Sequence, residues 1–128
     1  MIKIGVAGYG YWGPNLVRNI QDSKDACVVS CCDSSEERLA QVKVKYPSVE
    51  TTTDYDDLLN DPTVEAIAIS TPVATHFDFA RKAMEHGKHV LLEKPATTSV
   101  AEAEKLLDLA ERHKVTYKIG RASCRERV

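Results

Sequence analysis

The sequence predicts an α/β fold, a parallel sheet doubly wound with helices on both faces. Three observations carry this. Short apolar runs alternate strictly with amphipathic segments from residue 2 to residue 117. Most of those runs are too continuously apolar to leave one wet face, as strands buried on both sides are. Three of the six glycines fall in "GYGYWGPN", directly after the first run. Right-handed crossovers then favour the strand order 3-2-1-4-5-6.

Each element follows from its own residues. Residues 2–7 alternate and run into Gly8, a buried strand; residues 14–22 open with Pro14 and carry Leu16, Val17 and Ile20 at helical spacing. "ACVVSCC" is the second strand, and "SSEERLAQVKVKY" a helix that opens with Ser34 three residues before Glu37, a capping-box spacing, and stops before Pro47. A short third strand spans 49–52, and a small helix starts at Asp54. "VEAIAIS" is the fourth strand, "THFDFARKAMEHG" a helix ended by Gly87, and "KHVLLE" the fifth strand. Ser99 and Glu102 form a second capping box for a helix reaching about Lys114.

Size and composition bound the function. At 128 residues, one domain is the default. Hydrophobic residues at 43% and charged residues at 28% are ordinary for a globular chain. A formal net charge of −2 offers no general attraction to nucleic acid or anionic membranes. No apolar run approaches a membrane span, and "MIKIG" lacks the features of a signal peptide, so a cytoplasmic location is expected. Cys27, Cys31 and Cys32 cluster in one apolar run without a CxxC pair, which reads as small buried thiols; Cys124 stands alone. His86 and His89 are separated by a glycine that breaks any helical ligand face. No metal is expected.

The glycines carry chemistry. Gly8, Gly10 and Gly13 spell G-x-G-x-x-G between a strand and a helix. Gly8 allows a sharp turn, Gly10 lets a pyrophosphate approach the backbone, and Gly13 lets helix and strand pack closely. The helix N-terminus then presents unpaired N–H groups to the diphosphate. The spacing alone is weak, because any turn with positive φ also selects glycine. Asp33 strengthens it. It stands 20 residues after Gly13 at the end of the second strand, where a carboxylate binds both hydroxyls of the adenosine ribose and repels a 2′-phosphate, favouring NAD over NADP. Capping the following helix is its bland alternative. Tyr9, Tyr11 and Trp12 either stack on a ligand or cover the sheet, with Trp12 the favoured site residue.

Ligands of open parallel sheets lie outside the carboxyl ends of the strands. After the fourth strand, Ser70, Thr71 and Pro72 make a stiff loop and His76 opens a helix. After the fifth comes "EKPA", whose Glu93 and Lys94 are costly to leave unpaired beside the sheet. An exposed surface ion pair is the alternative for these two.

"GYGYWGPN", "STPVATH" and "HGKHVLLEKPATTSVAEAEKL" together resemble the N-terminal Rossmann domain of the Gfo/Idh/MocA oxidoreductases, over about residues 1–117. The wording "GYWGPNLVRN" is similar to members acting on nucleotide-activated amino sugars, such as UDP-N-acetylglucosamine 3-dehydrogenases. The resemblance implies that Gly8, Gly10 and Gly13 with the amides of Tyr11 and Trp12 hold the diphosphate. Asp33 would then hold the ribose, with Arg38 over the adenine. It implies Thr71, Pro72 and His76 along the nicotinamide half, with Glu93 beside them. Lys94 is the implied catalytic residue, bonded to the reacting hydroxyl and the nicotinamide ribose. Its charge would favour the developing alkoxide as hydride leaves. Pro95 fixes its backbone.

Family members continue into a second, mostly antiparallel domain that supplies the general base, substrate contacts and a homo-oligomer interface. Ala96 replaces the usual leucine after "EKP", Lys118 falls where the sixth strand wants an apolar residue, and "RASCRERV" matches nothing in the family. Residues 118–128 therefore read as a foreign or disordered tail. The expected function is that of an NAD-binding fragment, inactive alone. Its parent would transfer hydride between a sugar or nucleotide-sugar hydroxyl and the cofactor, with no nucleic acid or membrane partner. A non-catalytic NAD-binding regulator is the alternative, which Lys94 argues against.

Overall fold

A computed structural model describes residues 1–10, 12–92, 97 and 99–119. The elements in chain order are β1 (Ile2–Ala7), α1 (Gly13–Gln21), β2 (Ala26–Cys32), α2 (Glu36–Lys45), β3 (Glu50–Thr52), α3 (Tyr55–Leu59) and β4 (Ala66–Ile69). A 3-10 turn (Val73–Thr75) then leads into α4 (His76–Glu85), β5 (His89–Leu92), α5 (Val100–His113) and β6 (Tyr117–Ile119). Among the described residues every strand pairing is parallel, in the predicted order β3-β2-β1-β4-β5-β6.

Strand alternation divides the core in two. Ala7, Cys32, Ile67 and Ile69 point to one face, where α3, α4 and α5 bury Leu58, Leu59, Ala80, Met84 and Leu106. Val6, Cys31 and Ala68 point to the other, against Leu16, Val17 and Ile20 of α1 and Leu39 and Val42 of α2. Each fully buried Leu, Ile or Val contributes roughly 1.5–3 kcal/mol, so neither layer holds without the other. Only the carboxyl half of β1 is buried; Ile2 is 47% exposed at the sheet's far end.

The helix caps refine the expectation. Ser99 caps α5 as predicted, accepting from the amide of Glu102. On α2 the cap is Ser35 rather than Ser34. Asp33 Oδ1 accepts the amide of Ser35, which carries Ser34 into solvent and leaves Ser35 Oγ to accept the amide of Arg38. Glu37 then sits one position too early for a reciprocal bond.

Lys118, the residue that made a sixth strand doubtful, pairs opposite Leu91 and is exposed on the edge strand. Lysine is a common edge-strand device, because it discourages pairing with another chain. At the amino ends of the strands, buried Lys88 donates to the carbonyls of Asp61 and Val64 at 2.7 and 2.8 Å. Burial lowers its pKa. His89 Nδ1 accepts the amide of Thr116, and His86 Nδ1 faces the Lys82 carbonyl. Among the described residues no helix is long and apolar enough to cross a membrane, and no cluster of His, Cys, Asp and Glu could hold a metal ion.

Helix α5 ends on Lys114 in the left-handed conformation, with φ +57 and ψ +43. A Cβ disfavours that region, and glycine does not. Lys114→Gly is expected to stabilise the chain by about 0.5–1 kcal/mol in urea denaturation; a lower midpoint would contradict this account of the cap.

Candidate functional site

The loop after β1 is clamped from both neighbouring strands. Gly8 has φ +100, its amide donates to the Cys32 carbonyl at 2.7 Å, and its own carbonyl accepts from Ser70 Oγ at 2.8 Å. A Cβ on Gly8 would lie 2.9 Å from the backbone of Ser70, and one on Gly13 would collide with the Gly8 carbonyl. These two positions are closed to side chains by the chain itself. Gly10 differs, because its face is covered by a side chain rather than by backbone, the Arg38 guanidinium lying 3.2 Å from where a Cβ would stand.

That face belongs to a cleft of about 910 Å³, a size ordinary for ligand pockets, outside the carboxyl ends of the strands. Gly8, Gly10 and Trp12 form its β1 side, and Cys32, Asp33, Ser34 and Arg38 its β2 side. Thr53 and Tyr55 come from the loop after β3; Ser70, Thr71, Pro72, Val73, Thr75, His76 and Phe79 come from the β4 side. The strand order places the cleft at β1, where connections leave the sheet in opposite directions.

Asp33 is fixed from within. Its Oδ2 accepts the amide of Tyr9 at 2.7 Å and its Oδ1 that of Ser35 at 2.8 Å, while Arg38 Nη1 stands 3.8 Å away. Each carboxylate oxygen keeps acceptor capacity for a ligand hydroxyl. The acid therefore caps the turn into α2 and lines the cleft at once. Tyr9 is 5% exposed and packs with Val6 and Leu16, so its side chain covers the sheet and its amide serves Asp33.

The loop after β4 is built stiffly. Thr71 Oγ1 and Thr75 Oγ1 are 2.7 Å apart, Thr75 Oγ1 donates to the Pro72 carbonyl, and buried His76 turns Nε2 to the Thr71 carbonyl at 2.8 Å. Facing a carbonyl, Nε2 carries the proton. His76 thereby holds the loop whose residues line the cleft.

Tyr11, Glu93 and Lys94 lie outside the described residues, as do Pro95, Ala96 and Cys124. Thr53, Tyr55, Phe79 and Cys32 are lining residues that sequence reasoning did not single out. Tyr55 stacks on Phe79 with centroids 4.2 Å apart and donates to its carbonyl at 2.7 Å, giving the cleft an aromatic floor. Burial pushes the Tyr55 hydroxyl pKa up. The Cys31 thiol is raised to about 12 and the Cys32 thiol to about 11, first by burial and then by the charge of Asp33.

The sequence and the fold are matched by known proteins. The model of the Gfo/Idh/MocA oxidoreductases, an oxidoreductase family with an NAD-binding Rossmann fold, matches residues 2–121. The chain belongs to this family. A relative from Escherichia coli, the uncharacterised oxidoreductase YdgJ, is 34% identical over 86% of this chain and 31% of its own length. The scyllo-inositol 2-dehydrogenase (NADP(+)) IolW of Bacillus subtilis is 32% identical over 86% of this chain and 30% of its own. The crystal structure of GenD2 from gentamicin A biosynthesis, in complex with NAD, superposes with TM-score 0.89 at 26% identity, over 93% of this chain and 34% of that one. The chain thus spans about a third of the length of the curated relatives it matches.

Gly13→Ala is expected to cost about 3 kcal/mol or more in urea denaturation, since the Gly8 carbonyl it meets is itself held by Ser70; a cost under 1 kcal/mol would refute the close approach. The cysteines set a pH limit. Unfolded thiols ionise near 9.0, whereas folded Cys31 and Cys32 keep their protons to about 12 and 11. The native state then binds more protons above pH 9, so stability present below that pH is lost as pH rises toward 11–12. The urea midpoint under reducing conditions should be flat from pH 7 to about 8.5, fall beyond, and fall less steeply in Cys31→Ala. A midpoint level up to pH 11 would reject it.

Proposed function

We propose that this chain is the NAD-binding part of a dehydrogenase that moves hydride between a sugar or polyol hydroxyl and the nicotinamide. The observation that carries this is Asp33, a buried carboxylate at the end of β2 whose oxygens line the cleft beside Gly10. The residues present fit a dinucleotide: a side chain on Gly10 would fill the cradle, and the cleft continues from Arg38 past Gly10 to Thr71 and His76. Gly8, Gly10 and Gly13 with the amides of Tyr11 and Trp12 hold the diphosphate, Asp33 the ribose hydroxyls, and Arg38 covers the adenine end. Thr71, Pro72 and His76 line the nicotinamide half, with His76 keeping the loop in place through the Thr71 carbonyl.

When bound, the dinucleotide supplies the hydride acceptor or donor. In the reading proposed here, Lys94 holds the reacting oxygen and favours its developing negative charge, with Glu93 beside it. NAD is preferred to NADP because Asp33 faces the ribose with a negative charge. IolW acts on scyllo-inositol by its name, which supports a polyol or sugar substrate; the "GYWGPNLVRN" stretch supports a nucleotide-activated amino sugar as the narrower choice. The general base, most substrate contacts and a homo-oligomer interface belong to a further domain of a longer, cytoplasmic protein; the foreign tail expected at 118–128 does not include Lys118 and Ile119, which pair with β5. Without that domain the orientation and proton-transfer contributions to rate are missing, so the chain alone binds cofactor and turns over little.

Isothermal calorimetry tests this reading. NAD+ should bind the chain, and binding should be lost in Gly10→Trp, which fills the cleft, and in Asp33→Arg. Asp33→Asn, which removes the charge and keeps an acceptor for only one of the two amides, should weaken binding by about tenfold or more. Unchanged affinity in all three would reject the site.

A further inference from the structure

One peptide group joins the two sides of the cleft. The peptide between Gly8 and Tyr9 is planar, so its C=O and N–H point opposite ways and turn only together. The carbonyl faces the β4 side and accepts from Ser70 Oγ at 2.8 Å; the N–H faces the β2 side and donates to Asp33 Oδ2 at 2.7 Å. Ser70 and Asp33, which both line the cleft, are therefore the two ends of one hydrogen-bonded chain. It runs from hydroxyl to carbonyl to amide to carboxylate.

The peptide depends on both ends. Gly8 is a buried glycine at φ +100, and glycine restricts its adjoining torsions least of all residues. Among the described residues no donor other than Ser70 Oγ bonds its carbonyl. Loss of that donor leaves a buried acceptor unsatisfied, a cost that turning the peptide relieves. The same turn carries the Tyr9 N–H away from Asp33. Ser70 has a fixed base from which to prevent it, because its amide is bound to the Ala7 carbonyl at 2.8 Å and its backbone abuts Gly8, 2.9 Å from where a Cβ would stand.

We infer that Ser70 is a positioning residue for Asp33: its hydroxyl, acting through the Gly8–Tyr9 peptide, sets where the carboxylate presents its oxygens to a ligand. The consequence for binding rests on the dinucleotide reading above, whereas the chain of bonds belongs to the free protein. Two effects act together. A carbonyl that accepts a hydrogen bond makes the N–H of the same peptide a better donor, since bonds in series polarise one another. The bond also decides between two partners for one oxygen. Arg38 Nη1 stands 3.8 Å from the same Oδ2, on a side chain that is half exposed and so attracts only weakly. With the Tyr9 N–H in place, the oxygen stays on the loop. Without it the carboxylate is held at Oδ1 alone, by the Ser35 amide, and swings toward the guanidinium.

The test is amide NMR and hydrogen exchange on the whole chain, with thermal melts to check folding and calorimetric titration with NAD+. Wild type is compared with Ser70→Ala and with Ser70→Cys, whose thiol is a weaker donor and should give intermediate values throughout. In Ser70→Ala the Tyr9 amide proton should move upfield and exchange at least about tenfold faster, while the Ser35 amide, on the other carboxylate oxygen, changes less. NAD+ affinity should fall about three- to tenfold. In an Asp33→Ala background Ser70→Ala should speed Tyr9 exchange by less than about twofold, because the chain of bonds then has no far end. A Tyr9 amide unmoved by Ser70→Ala overturns the inference, as do equal changes in its exchange with and without Asp33, or an unchanged NAD+ affinity. Wild type that binds no NAD+ overturns the dinucleotide reading, and the Tyr9 amide still decides whether Ser70 positions Asp33. If Ser70→Ala shows no melting transition, Ser70→Cys carries each comparison.

Discussion

The geometry of the cleft depends on one close approach, in which the loop after β1 is drawn between its two neighbouring strands. Cys32 on β2 accepts the Gly8 amide, Ser70 after β4 donates to the Gly8 carbonyl, and α1 begins so near that Gly13 cannot carry a side chain. The three contacts join β1, β2 and β4 at the point where the connections part. A backbone pinned so tightly has no room for side chains where it turns, and so it carries glycine at Gly8 and Gly13.

Asp33 shows how structure and recognition share one group. Two amides fix its carboxylate, one from the loop after β1 and one from the turn into α2, so the acid couples the two loops that border this side of the cleft. Burial first, and then its charge, raise the pKa of the two thiols behind it, which stay neutral hydrophobes in the sheet. A group already committed to backbone partners costs little reorganisation when a ligand hydroxyl is added.

Much of this was legible in the residues. The glycine spacing encodes steric demands that are local, and the apolar runs encode burial on both faces, so strand order and the placement of Gly8, Gly10, Gly13 and Asp33 followed. The α2 cap was not legible, because choosing Ser35 over Ser34 depends on Asp33 reaching forward as well as into the cleft. Nor was the aromatic floor, since Tyr55 and Phe79 are far apart along the chain and meet only when β3 and β4 lie in one sheet. Lys118 misled for a related reason: its acceptability depends on β6 being an edge, a property of the assembled sheet. The roles assigned to Tyr11, Glu93 and Lys94 lie outside the described residues and remain proposals.

Lys88 points to a division of labour along the strands. A buried ammonium clasping two main-chain carbonyls ties the starts of β4 and β5 together at the end remote from the cleft. Mechanical integrity is thereby secured where nothing is recognised. The loops at the opposite rim are left free to drift in sequence, so descendants of one scaffold can acquire new chemistries without renegotiating how the sheet holds itself together.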